Sequence, residues 1–304
     1  MNDEKSFNPQ LFEHEAARSY RWQVFPRVTV ATMTFNRLAH TRKFLESLYQ
    51  RTHVPFELLV LDNASEDGTR EHLRELEQSR TNVRLLLNSK NVGLGRGLLQ
   101  IRDTVDSDLL VFFDNDIEIL SNYWLVHLQK AYHAYRLAHG DLRVSLGLRM
   151  INQEEYGFRF ASRMEVLPIP AAENDLPRTS FSKYSKDEAS EARRLDEEVV
   201  IGWTEHLCGG AWSCPVPLYK QIEWERHYPK FLGGEDGFFT AECARAGAGV
   251  AYIENGPIVR HNDWPYTQEK IELYKRLTQT RAVTDWTLVK QKLWRLLGRR
   301  GASS

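Results

Sequence analysis

Asp108-Leu109-Leu110-Val111-Phe112-Phe113-Asp114-Asn115-Asp116 is the stretch that decides the fold. Its five apolar residues, β-branched or aromatic in part, are too few for a helix and read as a strand buried on both faces. Asp114 and Asp116 break out at its C-terminal end. In an open α/β sheet the carboxyl ends of the strands face the ligand crevice. Two positions apart on an extended chain, the carboxylates point the same way and could share one hard cation or its water shell. An isolated Asp-x-Asp would be only a solvated strand end, so the neighbouring segments decide its meaning.

Upstream, Arg27 to Thr34 reads as a strand, and Asn36 as the cap of a helix carrying Leu38, Thr41, Leu45 and Leu48 on one face. Phe56 to Leu61 is a second strand, ending in Asp62-Asn63. The turn Ser65-Glu66-Asp67-Gly68 leads into a helix with Leu73 and Leu76. A third strand, Val83 to Leu87, precedes Asn88 to Gly97 and a helix bearing Leu94, Leu98, Ile101 and Val105. This alternation predicts an α/β fold, a mostly parallel central sheet with helices on both faces.

Downstream, Ser121 is the expected cap of a helix with Leu125, Leu128 and Tyr132 facing inward, and Val144 to Met150 is a further strand. Residues 152–198, with three prolines and a charged run, read as a long surface excursion beside the site or as a disordered insertion. A short helix is expected near Val216 to Ile222. Glu235-Asp236 heads a helix with Phe239, Cys243 and Ala246, and strands follow at Gly249 to Ile253 and Ile258 to His261. The predicted organisation is an N-terminal helical extension (1–26), a single domain (27–262, with halves 27–120 and 121–262) and a C-terminal helical tail (263–304).

Composition narrows the class. Among 304 residues, 40 basic side chains balance 41 acidic ones, which argues against a dedicated nucleic-acid binder. No apolar run approaches the ~20 residues of a membrane-spanning helix. Met1 to Lys5 lacks the apolar core of a signal peptide. Three cysteines leave one unmatched under any pairing, so a reduced, cytoplasmic setting is expected. The tail sets Trp286, Val289, Leu293 and Leu296 against Lys290, Lys292, Arg295 and Arg299. That face reads either as peripheral contact with the inner, anionic face of a membrane or as a packed helix with a solvated basic side.

The candidate polar groups of the first half all follow strands: Asn36-Arg37, Asp62-Asn63, Asn91 with Gly93, Gly95 and Gly97, then Asp114 and Asp116. Topology sets them along one crevice. Asp62 and Asp114 can accept hydrogen bonds from a base N–H or ribose hydroxyls, and the glycines would let backbone approach a ligand closely. The series Thr34-x-Asn36-Arg37, Asp62-Asn63-x-Ser65-x-Asp67-Gly68-Thr69, Asn91-x-Gly93 and Asp114-Asn115-Asp116 resembles the nucleotide-sugar half of family 2 glycosyltransferases, which have the GT-A fold. Gly233-Gly234-Glu235-Asp236 is similar to that family's acidic base motif, and His261 to a histidine that completes its metal site. The resemblance spans Val28 to His261. It departs at Leu99, where many members have Asn, and across residues 152–198, so acceptor identity is not inherited.

The resemblance implies a metal-dependent, inverting transfer from a nucleoside-diphosphate sugar, UDP-linked by preference, to a glycan, lipid-linked, protein or small-molecule acceptor. Thr34, Asn36, Arg37, Asp62, Asn63, Asn91, Gly93, Asp114 and Asn115 would serve the donor, Asp62 meeting the nucleobase and Asp114 the ribose or the metal's water shell. Asp116 and His261 would hold Mn²⁺ or Mg²⁺, the imidazole favouring Mn²⁺. Asp236 would be the general base. Glu235 would either raise that base's pKa or bind acceptor hydroxyls.

Three other functions compete. A dinucleotide-dependent oxidoreductase would use Gly93-x-Gly95, but Leu98 stands at the third glycine and Asp116, Asp236 and His261 would have no role. A sugar nucleotidyltransferase would need a glycine-rich basic loop where Met33-Thr34-Phe35-Asn36 stands. A catalytically silent sugar- or nucleotide-binding protein on the GT-A fold is opposed by the intact Asp236. Taken singly, His261 reads as a structural histidine and Glu235-Asp236 as charge placed favourably at a helix start. Cys208 and Cys214 read as small buried apolar residues. Trp203 is expected in the core, with Trp212 and Trp264 either in the core or stacked on a sugar.

Overall fold

The computed structural model describes residues 24–151, 161–169, 198–207, 210–227 and 234–262. The N-terminal helical extension up to residue 23, most of the 152–198 excursion, Cys208, Gly233, Trp264 and the C-terminal tail lie outside them.

β4 (Leu109–Asp114) is the fourth strand in a sheet that has nine strands among the described residues. Leu109, Val111 and Phe113 enter one core, Leu110 and Phe112 the other, so the strand has no solvent face and its apolar run is uninterrupted. β1 (Val28–Thr34) pairs parallel with β4 on one side and with β2 (Glu57–Asp62) on the other, and β2 pairs parallel with β3 (Val83–Leu87). Beyond β4 the order continues through β10 (Ala211–Pro215), β6 (Val144–Gly147), β11 (Gly249–Ile253), β9 (Glu198–Trp203) and β8 (Arg163–Pro168). Seven of the nine strands run one way; β9 and β10 oppose them.

A second sheet of three strands has β12 (Ile258–His261) between β5 (Ile117–Ile119) and β7 (Arg149–Met150). The single strand expected from Val144 to Met150 is therefore two. The chain leaves the large sheet at Gly147 and joins the small one at Arg149, and its buried residues on both sides of the break mask the change.

Helices α1 (Leu38–Arg51), α2 (Thr69–Ser79) and α4 (Trp124–His139) cover one face, where Phe44, Leu48, Leu73 and Leu128 join Val60 and Val111. Helices α3 (Leu94–Thr104), α5 (Val216–Tyr219) and α6 (Glu235–Arg245) cover the other, where Leu98, Ile101 and Phe239 join Leu59, Leu61 and Phe112. Each fully buried Leu, Val or Phe contributes about 1.5–3 kcal/mol. The helix expected at Val216 to Ile222 ends at Tyr219.

Two expected caps are corrected. Arg37, at φ 71°, precedes α1 without capping it, and the Asn36 amide oxygen instead accepts the Glu66 N–H at 2.8 Å. The Leu38 N–H is taken at 2.8 Å by Asp67, whose other carboxylate oxygen accepts from the Thr69 N–H and hydroxyl. One carboxylate thus closes the N-termini of both α1 and α2. Ser121 does not cap α4, which follows Tyr123; its hydroxyl accepts the Ile258 N–H at 2.8 Å.

Of the described tryptophans, Trp124, Trp212 and Trp224 are buried in the core, and Trp203, expected there, is half-buried and packs against it. Trp212 stacks between Phe112 and Phe239, with centroids at 5.2 and 4.3 Å. Trp203 donates its indole N–H to Glu165 at 2.7 Å and lies against Gly249. A Cβ on Gly249 would sit 2.3 Å from the Trp203 ring. Because that ring is held at its far end, Gly249→Ala is expected to cost about 1–3 kcal/mol through overpacking. Urea unfolding midpoints of the two proteins check this, and an unchanged midpoint would show that the ring gives way. Cys214 and Cys243 are free and buried.

Candidate functional site

Strand order brings the polar groups to one edge. β1, β2 and β4 all end there, delivering Thr34, Asp62 and Asp114 in adjacent registers: Thr34 opposite Asp62, Met33 opposite Asp114. After Asp114 the chain turns through Asn115-Asp116 into β5. The β5–β12 register sets His261 opposite Ile117, and Asn262 donates its N–H to the Asp116 carbonyl at 2.8 Å. Asp114, Asp116 and His261 consequently converge, one ligand atom of each lying within 4.8 Å of the others. Sequence reasoning assigned Asp114 to ribose or the water shell; the structure brings it into the same cluster.

Arg37 reaches this cluster from the β1–α1 turn. Its Nη1 lies 2.8 Å from Asp116 Oδ2, and both side chains are nearly fully buried, at 10% and 2% exposure. His261 Nε2 lies 3.6 Å from the other Asp116 oxygen. Asn36 and Arg37 both hold left-handed backbone, at φ 55° and 71°, a conformation that non-glycine residues adopt only where their surroundings fix it. Two carboxylates and an imidazole in a nearly buried cluster form a donor set suited to a divalent cation.

Asp62 is fully buried at the end of β2. Its Oδ2 accepts from the Ser65 N–H at 3.1 Å and from Arg70 Nε at 2.8 Å, while Oδ1 accepts no hydrogen bond. Asn63 accepts the Asn88 amide at 2.9 Å and faces Met33 sulfur. Asn91 accepts the Gly93 N–H at 2.9 Å, shaping the turn in which Gly93 takes φ 84°.

The remaining donor candidates lie deeper. Asn115 donates to both Thr34 and Thr41 hydroxyls, at 3.1 and 3.0 Å, in a buried knot beneath the turn. Thr34 and Asn115 therefore brace the site from below. The expectation that Gly95 and Gly97 admit a ligand is also corrected. The space a side chain would need is filled by His227 and Met33, with built Cβ distances of 2.9 and 2.4 Å.

Gly234, at φ 79°, turns the chain into α6, and Glu235 and Asp236 open that helix. They face Asp114 and Gly210 across a cleft floored by Phe112, Trp212, Phe239 and Leu98. Burial in this apolar setting, then the neighbouring Asp236 carboxylate, raise the Glu235 pKa well above the ordinary carboxylate range, and Asp114 adds to the rise.

A raised folded-state pKa has a definite sign. Glu235 contributes stability fully below its ordinary value of 4.5, and the contribution falls away as pH rises through the folded value. Glu235→Gln, a mimic of the protonated form, should therefore gain melting temperature relative to the wild type between pH 5 and pH 8 in EDTA. Parallel pH profiles for the two proteins would refute a buried, proton-retaining Glu235.

Sequence reasoning missed Arg70, Thr41, Asn88 and Gln100. Arg70 carried a signal, because a cation in the first turn of a helix opposes the dipole and needs a local reason to be there. Asn88 pairs with Gln100 through two amide hydrogen bonds of 2.9 and 3.0 Å, for which single-residue propensities give no hint.

Comparison with known proteins follows the same geometry. A family profile described as Glycosyl transferase family 2 matches residues 29–175. The chain is 26% identical over 121 residues to the GalNAc(5)-diNAcBac-PP-undecaprenol beta-1,3-glucosyltransferase of Campylobacter jejuni, a match covering 38% of each protein. Among solved structures, GalNAc-T7 with UDP, GalNAc and Mn²⁺ superposes with a TM-score of 0.52 at 14% identity, over 77% of this chain and 43% of that one. S. aureus TarS superposes with a TM-score of 0.51 at 16% identity, over 91% of this chain and 44% of that one. The chain thus spans less than half the length of these relatives, and the structural likeness is one of fold.

Proposed function

We propose that this chain, whose residues 29–175 match the Glycosyl transferase family 2 profile, transfers a sugar, with inversion, from a nucleoside-diphosphate donor to an acceptor hydroxyl. The observation that carries this reading is the alignment of three groups along one sheet edge: buried Asp62, the Asp114–Asp116–His261 cluster, and the Glu235–Asp236 pair across the cleft. That order fits nucleobase, diphosphate and reacting carbon in turn.

Asp62 Oδ1, buried and without a hydrogen bond, suits a base N–H such as that of uracil, which supports a UDP-sugar. Asn63, Asn91 and Gly93 shape the adjoining loop, while Thr34, Asn36 and Asn115 hold the turns from behind. Asp114, Asp116 and His261 would hold the divalent cation; when bound, it supplies positive charge against the departing diphosphate. Arg37, already among these residues, adds a second positive group there.

Asp236 takes the proton from the acceptor hydroxyl as that oxygen attacks the anomeric carbon from the face opposite the diphosphate, one displacement inverting the centre. Glu235, whose pKa burial and the neighbouring carboxylate raise, offers a proton-bearing carboxyl that can donate a hydrogen bond beside the base. The acceptor we favour is a saccharide hydroxyl, the class named for the Campylobacter relative. No helix among the described residues is long and apolar enough to cross a membrane; the proposed membrane contact of the basic tail falls outside them.

The test is thermal stabilisation by UDP-, GDP- and dTDP-sugars with and without Mn²⁺, followed by release of nucleoside diphosphate. Stabilisation by a UDP-sugar that requires Mn²⁺, with release of UDP, is expected. Stabilisation without release would favour a silent binder.

A further inference from the structure

We infer that Arg70 sets nucleobase specificity by fixing the carboxylate of Asp62, an assignment that rests on Asp62 being the group that meets the base. Arg70 stands on the first turn of α2, where its charge opposes the helix dipole. What offsets this is a pair of contacts. Its Nε donates to Asp62 Oδ2 at 2.8 Å, and its Nη2 donates to the Asn88 carbonyl, so one guanidinium ties the C-terminal ends of β2 and β3 together. The Ser65 N–H makes a second bond to the same Asp62 oxygen at 3.1 Å.

The consequence falls on the other oxygen. With Oδ2 held twice, the side chain of Asp62 cannot rotate, and Oδ1 stays a buried acceptor with no hydrogen bond from the described residues. Such an acceptor is costly unless a ligand donor answers it. The donor that fits is a lactam N–H, as uracil and guanine carry. Cytosine presents a lone pair at the corresponding ring nitrogen and would meet the carboxylate with repulsion. Behind this, Asn88 is itself held by Gln100 and donates to Asn63 at 2.9 Å, so the anchor for Arg70 does not drift. A guanidinium can reach both partners at once; an ammonium cannot.

Calorimetry in Mn²⁺ with three probes tests this: the tighter of UDP and GDP, CDP, and inorganic pyrophosphate. Arg70→Met should weaken the lactam nucleotide by about 10- to 100-fold, the range of one charge-assisted hydrogen bond. CDP and pyrophosphate should hardly change, so that discrimination between bases collapses while diphosphate binding persists. Arg70→Lys should fall between wild type and Arg70→Met, and it carries the test if the methionine variant does not fold. Asp62→Asn separates the two layers. If it weakens the lactam nucleotide while both Arg70 variants bind it normally, Asp62 reads the base and the role given to Arg70 is wrong. If Asp62→Asn binds all probes like the wild type, the base is read elsewhere and the inference goes with it. An equal loss of all three probes in the Arg70 variants would mark a purely structural ion pair and also overturn it.

Discussion

Asp236→Asn is expected to bind the nucleotide-sugar donor almost normally and to transfer its sugar about 10²–10⁴-fold more slowly, the usual cost of a lost general base. The substitution keeps size and shape and removes only basicity. Asp236 opens α6 after the turn at Gly234, where the helix N-terminus favours an ionised carboxylate. It stands across the cleft from Asp114, on an element separate from Asp62, Arg37 and His261, so donor contacts should survive. Calorimetry for the donor and single-turnover rates for transfer would together show the split between binding and chemistry. Glu235→Gln should be far milder, because the carboxyl it replaces already retains its proton. Wild-type transfer by Asp236→Asn would move the base elsewhere and refute this mechanism.

Chelation is the second large effect. EDTA should abolish turnover and Mn²⁺ should restore it, since several kcal/mol of charge stabilisation at the leaving diphosphate is at stake, on the order expected for a Lewis-acid cation. His261→Ala should weaken Mn²⁺-dependent donor binding and leave the melting temperature near the wild-type value. Asp116→Ala should differ in kind. It also removes the carboxylate 2.8 Å from Arg37, whose side chain is only 10% exposed. Breaking a nearly buried ion pair destabilises a fold, so this variant should lose stability as well as metal affinity. Full turnover in EDTA would remove the cation from the reaction.

Much of this architecture is legible in the residues themselves. β1, β2 and β4 read as apolar runs because helices bury both their faces, and the acids stand out because they end those runs. The convergence of Asp114, Asp116 and His261 was readable only in part. His261 arrives through a pairing between β5 and β12, whose partners are more than a hundred residues apart in sequence. Other features were illegible for the same physical reason: the partner lies far away along the chain. The Leu38 N–H is closed by Asp67, twenty-nine residues on, so the local guess of Asn36 was misplaced. Gly95 and Gly97 looked like openings for a ligand because nothing nearby reveals His227 and Met33 packed into them. The change of sheets after Gly147 is marked by a single charged residue, Arg149, in an otherwise buried run, too little to announce it.

The doubly used carboxylate of Asp67 makes the donor cradle a ruler of fixed length. The helix that follows Arg37 and the helix that carries Arg70 begin at one shared clasp, which adds to the β1–β2 register in holding the spacing between the proposed diphosphate and base ends. A donor whose ribose spans that gap, as proposed above, would meet both ends at once. The clasp also has an acid limit. Burial would raise the Asp67 pKa, but the bonds from Thr69 and Leu38 outweigh it and hold the group below its ordinary 3.8. The clasp is therefore intact above that value and opens only as pH falls through the lower, folded one, when both helices lose their starting point together.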